Sequence, residues 1–317
     1  MKNYLKFKDE KSHKFWEIEF DQYEDLIITT YGKIGTIGKT TEKEIDCETI
    51  EEAKVYLDKQ IAGKVKKGYQ EKKIDPTRKL SILVKQLKEL KNELEMTTVY
   101  LITTKEEKPT KTTINRIGGL PIGIDEVKWP KNKEGKPLIH AYTIDLSKFS
   151  QREYQEDSSD YRAISYFVDE ESEELTTLIN VFLTEEDIQK GEWDNCPYDF
   201  TESSIFEDTR TWEGHELEVP DEVVDGEFLE NLDYLRDEAE DEDDAEYSVE
   251  YLDLIEKISE HLFVQNYVGG GPTWLQQDEG SGMGFFIMQF SEDFVNINLG
   301  DSGVMYVFDD DNLWQCY

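Results

Sequence analysis

Arg116-Ile117-Gly118-Gly119-Leu120-Pro121 decides how this chain is read, because it occurs again as Tyr267-Val268-Gly269-Gly270-Gly271-Pro272. Each copy is followed by an apolar run of strand character, Leu138 to Ile144 after the first and Phe285 to Phe290 after the second. Each run is followed by a strand that ends in acids, Ile164 to Glu171 and Val304 to Asp311. Three matching elements in one order mark an internal duplication. They predict an α+β protein whose larger part is an antiparallel sheet of two related halves, about 98–190 and 250–317. Glycines that cradle phosphate on backbone N–H groups need a nest or a helix directly after them. Here proline and a polar loop follow, with no GxGxxG and no P-loop lysine. Gly118, Gly119, Pro121, Gly269, Gly270, Gly271 and Pro272 are therefore read as structural turns.

The chain has 317 residues, enough for two or three domains. Aromatics make up 12% and charged residues 34%, the mark of a folded chain with a heavily charged surface, since disordered chains are poor in aromatics. No apolar run of about 18 residues occurs, so no membrane helix and no membrane partner are expected. Met1 to Lys8 alternates like a strand and lacks the apolar stretch of a signal peptide. Cys47, Cys196 and Cys316 are odd in number, far apart and outside any metal-binding spacing, which predicts reduced thiols and a cytoplasmic location.

Charge is unevenly placed. Residues 1–116 carry 24 basic and 21 acidic side chains, whereas the remaining 201 residues carry 11 and 51. Such an acidic segment repels nucleic acid and anionic membrane, and it attracts basic proteins quickly in low salt. The plainer alternative is that the acids keep the chain in solution.

In the N-terminal part, Phe15-Trp16-Glu17-Ile18-Glu19-Phe20 alternates with period two, and Leu26 to Thr30 gives a second strand after a polar turn. Tyr31-Gly32-Lys33-Ile34-Gly35 follows, with glycines that permit positive φ at a strand end. Thr49-Ile50-Glu51-Glu52 resembles a capping box, and it opens a helix with Ala53, Val55, Tyr56, Leu57, Ile61 and Val65 on its apolar side. Gly68 is placed to end that helix. On these residues and the closing Lys67-Gly68-Tyr69, residues 1–75 resemble a WGR domain, a small module of some poly(ADP-ribose) polymerases and many bacterial proteins. Tyr31 stands where that family usually has Trp, and Lys33 where it has Arg. In the polymerases the Trp stacks against a DNA end, so the resemblance implies Tyr31, Lys33, Lys66 and Lys67 as candidate nucleic-acid contacts. The competing reading packs Tyr31 in the core and leaves the lysines as a solvated face.

Residues 76–97 predict a linking amphipathic helix, with Leu80, Leu83, Val84, Leu87, Leu90 and Leu94 at helical spacing. From about residue 98 to Tyr317 the chain resembles the DUF1963, or YwqG-like, family. Ile117 to Pro121 with Trp129-Pro130, His261 through Gly269-Gly270-Gly271-Pro272 with Trp274, and Gly300-Asp301-Ser302-Gly303 before the last strand carry that resemblance. Members often lie among bacterial toxin and secretion genes, which implies an immunity or inhibitor role.

The histidines are His13, His140, His215 and His261, and none has an HxxxH or HExxH spacing or a nearby Cys. Ser281 lies in Gly-Ser-Gly rather than in a nucleophile elbow. Asp309-Asp310-Asp311 lacks the glycine and distal glutamate of a calcium loop. These spacings nominate no catalytic residue, metal or cofactor. The acidic run Asp237, Glu238, Glu240, Asp241, Glu242, Asp243 and Asp244, leading into a helix through Leu252, Ile255, Ile258 and Leu262, reads as a docking surface for a basic protein, with Trp193, Trp212, Trp274 and Trp314 as possible anchors. The expected function is toxin neutralisation by a non-enzymatic protein-binding protein whose acidic domain engages a basic, toxin-like effector. The alternative is a DNA-binding adaptor that uses the WGR-like module while the acidic domain recruits a protein.

Overall fold

Period-two alternation turns Trp16, Ile18 and Phe20 to one face of strand β2 (His13–Asp21), and the neighbouring strands complete that face. In this computed structural model the described residues are 2–9, 11–21, 26–45, 49–73, 75–91, 93–149, 161–170, 178–241, 245–276, 283–292, 294–300, 302–309 and 312–316. The chain divides into two units, Met1–Leu83 and Val84–Tyr317.

In the first unit β1 (Lys2–Lys8), β2, β3 (Leu26–Lys33), β4 (Lys39–Glu44) and β5 (Gln70–Lys72) form an antiparallel sheet in the order β4-β3-β2-β1-β5. Helix α1 (Ile50–Val65) packs Ala53 and Leu57 against Leu5, Trp16, Ile18, Phe20 and Ile27. Thr49 caps it by accepting from the Glu52 N–H. Gly68, at φ 89°, ends it: its N–H reaches the Val65 carbonyl while Tyr69 N–H reaches that of Lys64. This pair of bonds is the Schellman motif. Val55 and Val65, expected on the apolar side, are exposed. The buried stripe runs through Ala53 and Leu57 with Ile61 half-buried, and Val55 falls across the helix from it.

Helix α2 (Arg78–Leu90) is shorter than the linking helix expected over 76–97, because strand β6 (Met96–Lys105) begins before that span ends. Leu80, Leu83, Val84 and Leu87 are buried, Leu90 is exposed, and Leu94 lies beyond the helix. The boundary between the units falls within α2.

The second unit continues with β7 (Arg116–Ile117), β8 (Ile139–Asp145), β9 (Tyr161–Val168), β10 (Leu178–Thr184), α3 (Glu185–Lys190), α4 (Ser204–Glu207), β11 (Arg210–Pro220), α5 (Gly226–Glu230), α6 (Leu232–Asp241), α7 (Val249–Phe263), β12 (Tyr267–Val268), β13 (Phe286–Ser291), β14 (Val304–Phe308) and β15 (Asn312–Gln315). One ten-stranded sheet runs β10-β9-β8-β7-β11-β6-β12-β13-β14-β15. Its order reads the same from either end when β6 to β10 are matched with β11 to β15. The matched pairs agree in register, since Ile117 faces Tyr142 where Val268 faces Met288, and both ladders shift beside the next residue inward, at Ala141 and Ile287. The duplication is therefore interlocked. Each half's long first strand pairs with the short glycine-bearing strand of the other, β11 with β7 and β6 with β12. The second half thus starts at Arg210 rather than near residue 250, and α5 to α7 interrupt it. One core of Tyr142, Tyr166, Phe290, Phe294 and Met305 draws on both halves.

Candidate functional site

The two glycine turns sit where the halves cross. Gly118, Gly119, Gly269 and Gly270 all have positive φ. A Cβ on Gly118 would stand 2.5 Å from the Asp208 carbonyl oxygen, and one on Gly269 would stand 3.2 Å from that of Thr98. These glycines meet the other half's first strand or the residues leading into it, and the Gly118 and Gly269 N–H groups go to the carbonyls of Ala141 and Ile287. The close faces and these donors are taken by protein backbone, the arrangement of a structural turn. Arg116, fully buried, donates from Nη1 to Leu120 O and Glu192, from Nε to Thr113 O and from Nη2 to Thr110 O.

His140 lies beneath the first turn. Its Nδ1 faces the carbonyl oxygens of Gly118 and Gly119, both at 3.1 Å, and therefore carries the proton. Nε2 then accepts from Thr143, whose hydroxyl meets that of Ser165. All three side chains are inaccessible. Burial, and then the charge of Arg116, lower the His140 pKa to about 3, with the two carbonyls opposing. The chain resembles a catalytic relay only in residue types. Its imidazole is a weak base, and both nitrogens are already engaged.

The acidic run is placed differently from expectation. Asp237, Glu238 and Glu240 lie in the last turns of α6 rather than ahead of α7, which has Ser248 as its N-cap. Asp241 closes α6, while Glu242, Asp243 and Asp244 lie outside the described residues. Acids at a helix C-terminus oppose the helix dipole. Arg236 ties α6 to α7 by bonding Asp233, Asp253 and Glu256.

A cleft of about 600 Å³ opens instead between α5, the end of α7 and the second glycine turn. Glu230, Glu256 and Glu260 line it, with Phe263, Val264 and Trp274 as apolar wall and no basic residue among the described lining residues. Of the expected anchors, Trp212 is buried in the core, Trp193 packs beside Trp129, and Trp314 is exposed on β15. Only Trp274 faces this cleft. Among the described residues no His, Cys, Asp or Glu cluster has the arrangement of a metal site. Asp309 accepts from the Phe285 N–H, and Asp310, Asp311 and Ser281 lie outside the described residues.

Set against known families, residues 115–312 match the family model described as a domain of unknown function, DUF1963. The chain belongs to the DUF1963 family. Residues 1–76 match the WGR domain, so the protein joins a WGR domain to a DUF1963 domain. A stretch of 71 residues is 46% identical to the uncharacterized protein YfeS of Escherichia coli (strain K12), covering 22% of this chain and 28% of that one. The chain thus spans less than a third of that curated relative. A crystal structure of a Bacteroides fragilis protein is 39% identical over 25% of this chain and 21% of its own, with a TM-score of 0.22.

The WGR domain carries a second cleft, of about 590 Å³. Lys11, Lys14, Lys33 and Lys64 line it with Tyr31 and Tyr69, and the lining holds no acid among the described residues. Tyr31 is 43% exposed, which excludes its packing in the core. Lys64 lies over the rings of Trp16 and Tyr69, and burial followed by the charge of Lys67 lowers its pKa. Of the expected nucleic-acid contacts, Tyr31 and Lys33 come together here. Lys66 and Lys67 are exposed just past α1, outside the cleft. Among the described residues no helix is long and apolar enough to cross a membrane.

Proposed function

We propose that this chain is a cytoplasmic bacterial protein-binding protein, an immunity or inhibitor protein whose DUF1963 domain neutralises a basic partner such as a toxin effector. The observation that carries this reading is the cleft in which three glutamates and an apolar wall meet with no basic residue among the described lining. An excess of acids over the last 201 residues raises the encounter rate with a cationic partner. Trp274 and Phe263 supply the desolvated contact that holds it, because residence time depends on apolar anchors more than on field. Neutralisation follows if the acids occupy the surface on which the partner's Lys and Arg bind a polyanionic substrate.

A second reading rests on the other cleft. An exposed tyrosine among lysines suits a single-stranded or terminal base of a nucleic acid, and the protein would then be an adaptor. A pull-down with the full chain from its native lysate, with and without nuclease and across a salt series, separates the two. A basic protein retained after nuclease, released by salt and inhibited by the purified chain supports the first reading. Capture that disappears with nuclease overturns it in favour of the adaptor.

A further inference from the structure

The matched halves differ in what covers their tryptophans. In the first half Trp129 packs on Phe167 of β9, with ring centroids 5.6 Å apart, and in the second Trp274 packs on Phe308 of β14 at 6.3 Å. Phe167 and Phe308 hold equivalent positions, because Ser165 faces Thr143 where Tyr306 faces the matching Gln289. Trp129 is 3% exposed, covered by the chain's own Trp193, Tyr198 and Phe200, with Phe200 stacked on it at 5.5 Å. Trp274 instead faces the acidic cleft. The second half has the tryptophan seat, with Tyr306 also against Trp274 at 4.7 Å, and among the described residues the aromatic cover is in the first half.

We propose that the Trp274 cleft is a peptide site, which receives an extended segment of a partner protein as residues 193–200 cover Trp129. The segment presents an aromatic or large aliphatic side chain to Trp274 and Phe263 and flanks it with Lys or Arg facing Glu260. Charge selects this occupant, since the described lining offers glutamates and no cation. Glu256, held by Arg236 at 2.8 Å, sets the wall between α6 and α7 more than it reads the ligand. The assignment rests on the basic-partner reading and names the chemistry that reading requires at this site.

The test uses full-length protein and a dye-labelled peptide of alternating arginine and tryptophan, with a glutamate–tryptophan peptide and spermidine as comparisons. Val264, 70% exposed on the rim, is changed in V264R, and V127R alters a still more exposed valine, at 92%, elsewhere in the DUF1963 domain. Anisotropy is expected to show salt-sensitive binding of the basic peptide, weakened about 10-fold or more by V264R and unchanged in V127R. E260Q is expected to flatten the salt dependence. Equal binding by V264R and V127R, or equal binding of the acidic peptide, overturns the site. Spermidine competing as well as the peptide would also overturn it, since the site would then read cations alone. If the full chain captures and inhibits a basic protein and V264R does so equally well, the site is wrong and the functional reading stands. If the peptide binds through the cleft and the chain neutralises no basic protein, the functional reading falls and the peptide site remains.

Discussion

Arg116 and Tyr267 hold the same position in the two halves, and each donates a side-chain hydrogen bond to the carbonyl four residues ahead, Arg116 to Leu120 and Tyr267 to Gly271, both at 2.6 Å. One geometric task is met by two chemistries. A guanidinium can bond several carbonyls at once, and Arg116 also gathers Thr110, Thr113 and Glu192. The Tyr267 hydroxyl serves only the turn, with a longer contact to Thr273.

The difference predicts unequal mutational costs. Arg116→Met leaves the partly exposed Glu192 without its cation and strips the Thr110, Thr113 and Leu120 carbonyls of their donor; breaking a fully buried pair costs about 3–5 kcal/mol, an upper bound here. Tyr267→Phe removes one hydroxyl, and leaving its acceptor unsatisfied costs about 1–3 kcal/mol. Urea denaturation of the two variants should place the R116M midpoint well below that of Y267F. Equal midpoints would mean that the first turn does not depend on the guanidinium.

Gly118→Ala and Gly269→Ala should also differ. Both positions require positive φ, which costs a non-glycine residue about 1–2 kcal/mol. At Gly118 the new methyl would also stand 2.5 Å from a backbone oxygen, which cannot yield without moving Asp208, whereas at Gly269 the gap is 3.2 Å. Thermal unfolding should show the larger loss for G118A. A larger loss for G269A would contradict the crossing geometry at the first turn.

Turn residues and caps were legible in the sequence because their chemistry is local. Gly68 must adopt positive φ, Thr49 must accept a hydrogen bond, and the glycine turns announce the duplication. The interlock was not legible. His215 to Val219 alternates like a strand, but the helices of 226–263 separate it from the glycine turn that would have revealed it as the counterpart of β6. The Trp274 cleft was hidden for a related reason. Its acids are scattered singles, Glu230, Glu256 and Glu260, brought together by the packing of α5 and α7, whereas the conspicuous run at 237–241 marks a helix end. Tyr31 could not be placed, because alternation along one strand does not say which face its neighbours cover.

Acid should destabilise the protein through His140. Its folded pKa is lowered from 6.5 to about 3, chiefly by burial and then by Arg116. Below pH 6.5 the unfolded chain takes up a proton that the folded chain refuses, so stability is lost as pH falls from there towards 3. The limiting slope is about 1.4 kcal/mol per pH unit. Denaturation at pH 7, 6 and 5 should show the fall in the wild type and a shallower one in His140→Gln, whose amide can still donate to the Gly118 and Gly119 carbonyls. An unchanged slope in the variant would assign the effect to other groups.

The WGR cleft makes its own prediction, independent of the acidic cleft. If Tyr31 stacks on a base, Tyr31→Ala should weaken binding of a blunt-ended DNA hairpin to the full chain about 10-fold, the loss expected for one aromatic platform. Lys33→Gln should weaken binding of every sequence alike and reduce the salt slope by about one contact. Lys67→Gln should do less, because Lys67 lies outside the cleft that Lys33 and Lys64 line. Fluorescence anisotropy over a salt series reads all three. Equal affinity in Y31A and wild type would remove the stacking platform, and a larger effect from K67Q than from K33Q would move any nucleic-acid surface from the cleft to the end of α1.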